Sequence, residues 1–248
     1  MNTQNPNLMI AEVLYRLNVG ATVTPLLKEA FYTILTHPEV KSRDAQLGSF
    51  LSALMVHGVT AEEVEILIRT ALNIDGLPRY RLQVPGGQPI VAVAGSGKKG
   101  VKTFNVSTPA CFTAAAGGAY VVKPGSRATS SVSGSRDFLD LVGALPLTTE
   151  ETAQVLVSTG FAFYPIECYI PKFDAVYGGR TFGPTPLSFA LPAIANPIVC
   201  DALLYGLSHP NVALSLEVLS RFRLQNVMVV SSSPDMVHFI DELAPFAN

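Results

Sequence analysis

The stretch Ile90-Val91-Ala92-Val93-Ala94-Gly95-Ser96-Gly97-Lys98-Lys99-Gly100 decides the fold. Its apolar half has no alternation, as suits a strand buried on both faces, and it empties into a loop of glycines and lysines. A helix is expected from about Thr108-Pro109 through small residues to Gly117-Gly118. Working outward, a strand over 119–123 leads into a loop over 124–135 and a helix over 136–142. Thr148-x-x-Glu151 caps another helix, and Phe161-Ala162-Phe163-Tyr164 reads as a strand. A helix over about 215–224 precedes a strand over 227–230. Ser233-Pro234 then caps a predicted last helix with Met236, Phe239, Ile240 and Leu243 on one face. This alternation predicts an α/β unit with a mostly parallel sheet.

The first 72 residues read as helices only. Asn5-Pro6 and Thr24-Pro25 open the first two, Leu47, Phe50, Leu51 and Leu54 form a third stripe, and Thr60-x-x-Glu63 is a capping box for a fourth. The stretch from Gly76 to Gln88 has Pro and Gly clusters without a period and reads as a linker. The expected division is therefore a helical domain over 1–75 and an α/β domain over 76–248, with the segment near 165–190 packing on the helical part.

Apolar residues make up 48% of the 248 and charged residues 15%, which excludes a disordered chain. Seventeen Lys+Arg against nineteen Asp+Glu give a net charge of −2, so a general nucleic-acid or membrane surface is not expected. Cys111, Cys168 and Cys200 are odd in number and unpaired in spacing, as in a reducing compartment. No signal peptide is visible at the start, and no apolar run reaches a membrane span. A cytoplasmic protein is the expectation.

Three loops after predicted strands suit anions. Gly95, Ser96, Gly97, Lys98 and Lys99 offer backbone N–H groups and two ammonium charges. Asn105, Ser107 and Thr108 place amide and hydroxyl donors at a helix N-terminus. Lys123, Ser126, Arg127 and Ser131 add cations and hydroxyls. Ligands of open α/β sheets lie at the carboxyl ends of strands, so the three loops are expected to converge on one phosphate or diphosphate. The Walker, Rossmann and nucleophile-elbow patterns are absent, and the four histidines show no ligand spacing.

Taken in order, these residues resemble the anthranilate phosphoribosyltransferase family. Gly95-Ser96-Gly97-Lys98-Lys99 through Lys102-Thr103-Phe104-Asn105-Val106-Ser107-Thr108 is similar to its G-T-G-G-D…K-T-F-N-I-S-T segment. Lys123-Pro124-Gly125-Ser126-Arg127 resembles K-H-G-N-R, Ser130-Ser131-x-x-Gly134-Ser135-Arg136-Asp137-x-Leu139 resembles S-S-x-x-G-S-A-D-x-L, and Asn196-Pro197 follows like L-x-N-P. The resemblance implies a homodimer that binds 5-phosphoribosyl diphosphate (PRPP) and transfers its ribosyl phosphate to an aromatic amine. By position, Gly95, Gly97, Asn105, Ser107, Thr108, Lys123 and Ser131 would hold the phosphates, and Arg180 would meet the acceptor.

The departures are chemical. The family's loop Asp is Lys99, and the His and Asn that face the aromatic acceptor are Pro124 and Ser126. The resemblance implies magnesium, yet its late H-G-x-D-G-L-D-E segment reads Ser231-Ser232-Ser233-Pro234-Asp235-Met236-Val237-His238 here, with Asp241-Glu242 just beyond on the predicted last helix. The family also continues past the position of Asn248. A pentosyltransferase with a changed acceptor is the expected function, with Lys98 and Lys99 supplying the charge a metal would carry and Lys99 and Arg180 as its catalytic pair. The alternatives are a silent homologue that binds a phosphorylated ligand or a partner protein, and a phosphorolysis or lyase step in the same cleft.

Overall fold

The computed structural model describes residues 5–76, 78–97, 105–128, 133–144, 147–224, 226–234 and 239–247, with backbone alone beyond Ser231. The N-terminal part is four helices: α1 (Pro6–Asn18), α2 (Thr24–Leu35), α3 (Val40–His57) and α4 (Ala61–Asp75). The Thr60–Glu63 capping box starts α4, and Gly76 ends it with a left-handed φ of 65°. Leu27, Phe31, Phe50 and Leu67 are fully buried between these helices, with the Phe31 and Phe50 rings stacked 5.8 Å apart.

The rest alternates as the apolar runs require: β1 (Ile90–Gly95), α5 (Ser107–Ala116), β2 (Tyr120–Gly125), α6 (Ser135–Leu141), α7 (Thr149–Thr159), β3 (Phe161–Pro165), α8 (Ile166–Tyr169), α9 (Pro171–Tyr177), α10 (Leu191–Ile194), β4 (Ala202–Leu207), α11 (Val212–Arg221), β5 (Asn226–Pro234) and β6 (Phe239–Ala247). The six-stranded sheet has the order β3-β2-β1-β4-β5-β6, and its first five strands are parallel. The chain builds outward from β1 to β3 and then returns to the other side of β1 with β4. Between β1 and β4 lies the switch point, where Gly95 is in register with Gly206.

Helical and α/β parts share one apolar core, which runs from Ile10 and Leu67 through Phe173 and Phe189 to Tyr205 and Val229. Asp75, at the end of α4, accepts the N–H groups of Lys172 and Phe173 at 2.9 Å each and so fixes the start of α9.

The end of the chain differs from its reading. Residues expected as a helix form β6, antiparallel to β5, with Val227 opposite Phe246 and Ser231 opposite Glu242. Local helical spacing lost to the open edge of β5, whose backbone groups need a partner, and Pro245 suits an outermost strand. Met236 lies outside the described residues. β4 went unread although Ala202-Leu203-Leu204-Tyr205-Gly206-Leu207 is a short apolar run between Asp201 and Ser208.

Candidate active site

A cavity of about 760 Å³ opens at the carboxyl ends of β1, β2, β4 and β5, over the switch point. One wall is the strand loops, with Gly95, Ser96, Gly97, Asn105, Ser107, Lys123, Ser126 and Arg127 among the lining residues. Opposite stand α8, α9 and the start of α10, with Ile166, Glu167, Ile170, Phe173, Asp174 and Tyr177.

Lys123 is 2% exposed and donates from Nζ to Ser107 Oγ at 3.1 Å. Burial pushes its ammonium below the usual lysine value. A buried cation with one hydroxyl partner and two further donors is suited to an anion. The hydroxyl of Thr108, one residue further into α5, is buried without a hydrogen-bond partner.

Asn105 works between the loops. Its Oδ1 accepts from the Thr108 N–H at 3.3 Å and caps α5, while its Nδ2 donates to Gly134 O at 3.3 Å. The loops after β1 and β2 are thereby joined. Gly134 leaves no space for a side chain, because a Cβ there would stand 2.6 Å from Ala128 N and from Arg127 C. Ser96 bonds Ser208 twice, through Oγ to Oγ and through the Ser208 N–H, each at 2.7 Å. Gly97 takes the left-handed φ of 64° that turns the chain after β1.

Two of the expected cations are already paired. Arg127 reaches Asp140 at 2.8 Å and Asp137 at 3.3 Å, and Arg136 shares Asp140 at 2.9 Å. Arg180 is outside the lining: its Nε donates to Asp44 of α3 at 3.1 Å and its Nη1 to Gly178 O at 3.0 Å. Two glycines precede it and Thr181-Phe182 follow it in the sequence, so nothing there marks this long reach. Lys98, Lys99 and Ser131 lie outside the described residues.

Sequence reasoning missed the two carboxylates of the opposite wall. Glu167 has a buried Oε2 with no hydrogen-bond partner, and burial raises its pKa, with the charge of Asp174 adding to the effect. Burial likewise raises Asp174, against the nearby Arg180 guanidinium. Their only signal was position: Glu167 is two residues past the end of β3, on α8, and Asp174 is on α9 just after it. Among the described residues there is no group of three or more His, Cys, Asp or Glu that could hold a metal ion.

Residues 87–247 match the glycosyl transferase family, a/b domain. Anthranilate phosphoribosyltransferase of Dehalococcoides mccartyi is 32% identical over 215 residues, 86% of this chain and 60% of its own length. The Cupriavidus pinatubonensis enzyme of the same name is 29% identical over 213 residues, 84% of this chain and 58% of its own. The chain thus spans about 60% of the length of the curated relatives it matches. Among solved structures, the Thermus thermophilus anthranilate phosphoribosyltransferase superposes with a TM-score of 0.69 at 23% identity, over 95% of this chain and 73% of that one. The Saccharomyces cerevisiae enzyme in complex with PRPP and Mg gives 0.71 at 21% identity, over 89% and 65%. Parallel topology, strand-end cavity and sequence likeness agree: the chain belongs to this glycosyl transferase family, with the anthranilate phosphoribosyltransferases as its relatives.

Proposed function

We propose that the cavity binds PRPP and transfers its phosphoribosyl group to a planar acceptor that presents an N–H group and no carboxylate. The observation that carries this reading is Lys123, a buried ammonium near the carboxyl end of β2 that is bonded to Ser107 Oγ and lines the cavity. The diphosphate lies on the Gly95–Gly97 turn, Lys123 and Ser107, with Lys98, Lys99 and Ser131 completing the anion site. Lys99 helps to stabilise the departing charge.

The acceptor occupies the α8–α9 wall, where Ile166, Ile170 and Phe173 offer an apolar face. Glu167 Oε2 is a desolvated acceptor without a donor, so a ligand N–H satisfies it while a ligand carboxylate is repelled by it and by Asp174. During transfer a bond forms between acceptor nitrogen and the anomeric carbon, the bond from that carbon to diphosphate breaks, and Glu167 takes the proton from nitrogen. The raised pKa of Glu167 suits that task. Catalysis is otherwise positioning and charge stabilisation, since no protein nucleophile is needed. Arg180 acts on the acceptor side as a positioning residue, holding the Gly178–Gly179 turn against Asp44. Pairing as a homodimer in the cytoplasm belongs to the same reading.

The test is diphosphate release from PRPP in the presence of 2-aminobenzamide or 2-aminobenzoate, which differ only in amide against carboxylate. Release with the amide and little with the acid supports the reading. Saturable PRPP binding without release from a broad acceptor panel identifies a binding protein instead.

A further inference from the structure

A second cavity, of about 490 Å³, lies away from the strand-end site, between the end of α4, the segment around Arg79 and the end of α11. Arg69, Arg79, Arg221 and Arg223 all line it, together with Asn73 and Phe222. Four guanidinium groups round one hollow repel each other unless anions intervene.

Carboxylates among the described residues pair with two of them. Arg69 and Arg221 share Glu65, at 2.8 and 3.1 Å, and Arg221 also reaches Glu217 at 4.0 Å. Arg69 further donates to the carbonyl of Arg221 at 3.2 Å, covering the end of α11, and its guanidinium lies over the Phe222 ring. These two serve the helix end and the helix pair.

Arg79 and Arg223 have no carboxylate partner among the described residues. Arg79 spends Nη2 on the Ile198 carbonyl at 3.2 Å, and its Nε is buried with no acceptor at all. A buried, unpaired N–H on a cation is costly, and burial lowers the guanidinium's proton affinity accordingly. Arg223 is the one non-glycine residue with a positive φ, 56°, among the described residues. It stands just past α11, where helices commonly end in a left-handed residue and glycine or asparagine is easier than arginine, and it lines the charged hollow.

We propose that this arginine-lined cavity is a second anion site, for an organic phosphate whose oxygens bind Arg79 and Arg223 and whose apolar part rests on the Phe222 side. Arginine suits that ligand because its fork of N–H donors matches phosphate oxygens. The volume exceeds what a bare phosphate needs and fits a small phosphorylated molecule. The site stands apart from the strand-end cavity and does not rest on the transferase reading.

The experiment is calorimetric titration of phenyl phosphate and inorganic phosphate into the protein and three variants. Lys123→Met removes the cation of the strand-end site, Arg223→Gly removes a guanidinium while relieving its backbone strain, and Arg79→Gln removes the deep one. The proposal expects a saturable phenyl phosphate site that persists in Lys123→Met and weakens about tenfold or more in Arg223→Gly, with a melting temperature no lower than wild type. Phenyl phosphate should bind more tightly than inorganic phosphate. Loss of all phosphate binding in Lys123→Met, or unchanged binding in both arginine variants, would overturn it. If Arg79→Gln fails to fold, the Arg223→Gly result decides alone.

Discussion

Lys123 and Ser107 meet at 3.1 Å, so a cation from β2 and a hydroxyl from the first turn of α5 are held together at the cavity. Both come from elements whose positions the parallel sheet dictates. The lysine pays for its burial only when an anion arrives.

Replacing Lys123 by Met should therefore separate binding from folding. PRPP affinity falls roughly 10- to 100-fold, the loss expected for a charge-assisted hydrogen bond. The melting temperature stays level or rises, because an apolar side chain of similar length suits the buried position. Calorimetry and thermal unfolding check the two halves.

Gly134→Ala should damage the same site through the backbone. The new methyl would press on Ala128 N and Arg127 C at 2.6 Å, so the turn after β2 must shift and the Asn105 bond to Gly134 O is strained. Urea unfolding should show a loss of about 1–3 kcal/mol, as for overpacking elsewhere. PRPP affinity should fall with it.

The carboxylates of the α8–α9 wall predict a pH signature. Folding raises the pKa of Glu167 above its ordinary 4.5, so the folded state holds more protons between that value and its raised one. Stability from this group is present at the acid end and declines as pH rises through that window. Glu167→Gln removes the decline, so the variant gains on wild type as pH is raised above 4.5 and the gain then levels off. Urea midpoints of both proteins from pH 4 to pH 8 check it; a constant difference contradicts it.

Arg180→Ala should be mild for stability and neutral for PRPP. Its ion pair with Asp44 is about one-third exposed on both sides, and water and salt screen such pairs so that they add little to stability. A large loss of PRPP affinity in this variant would place Arg180 on the diphosphate instead of the α3 side. By contrast, Asp75→Ala frees the N–H groups of Lys172 and Phe173, loosens α9 and should cost about 1–2 kcal/mol.

Much of this was legible in the residues because local and global preferences agree. Three of the four helices carry side-chain caps, at Asn5, Glu39 and Thr60, and the Ile90–Ala94 run is a strand whose residues alternate between buried and half-buried. Convergence of the three anion loops followed from a general property of parallel sheets. Three features were not legible. β4 is as long as β1, but it follows the apolar stretch over 186–200 and does not stand out from it. β6 forms because β5 offers an edge, which is a tertiary fact that no window over 239–247 contains. Glu167 and Arg180 owe their surroundings to long-range packing: one is stripped of partners by the cavity wall, the other is drawn to Asp44 of a distant helix.

The central claim, that the strand-end cavity is a PRPP site organised by Lys123, is tested most directly by titrating PRPP into the wild-type protein and Lys123→Met by calorimetry. The account predicts saturable one-site binding to the wild type and a loss of roughly 10- to 100-fold in the variant. No PRPP binding to the wild type, or equal binding to both, would contradict it.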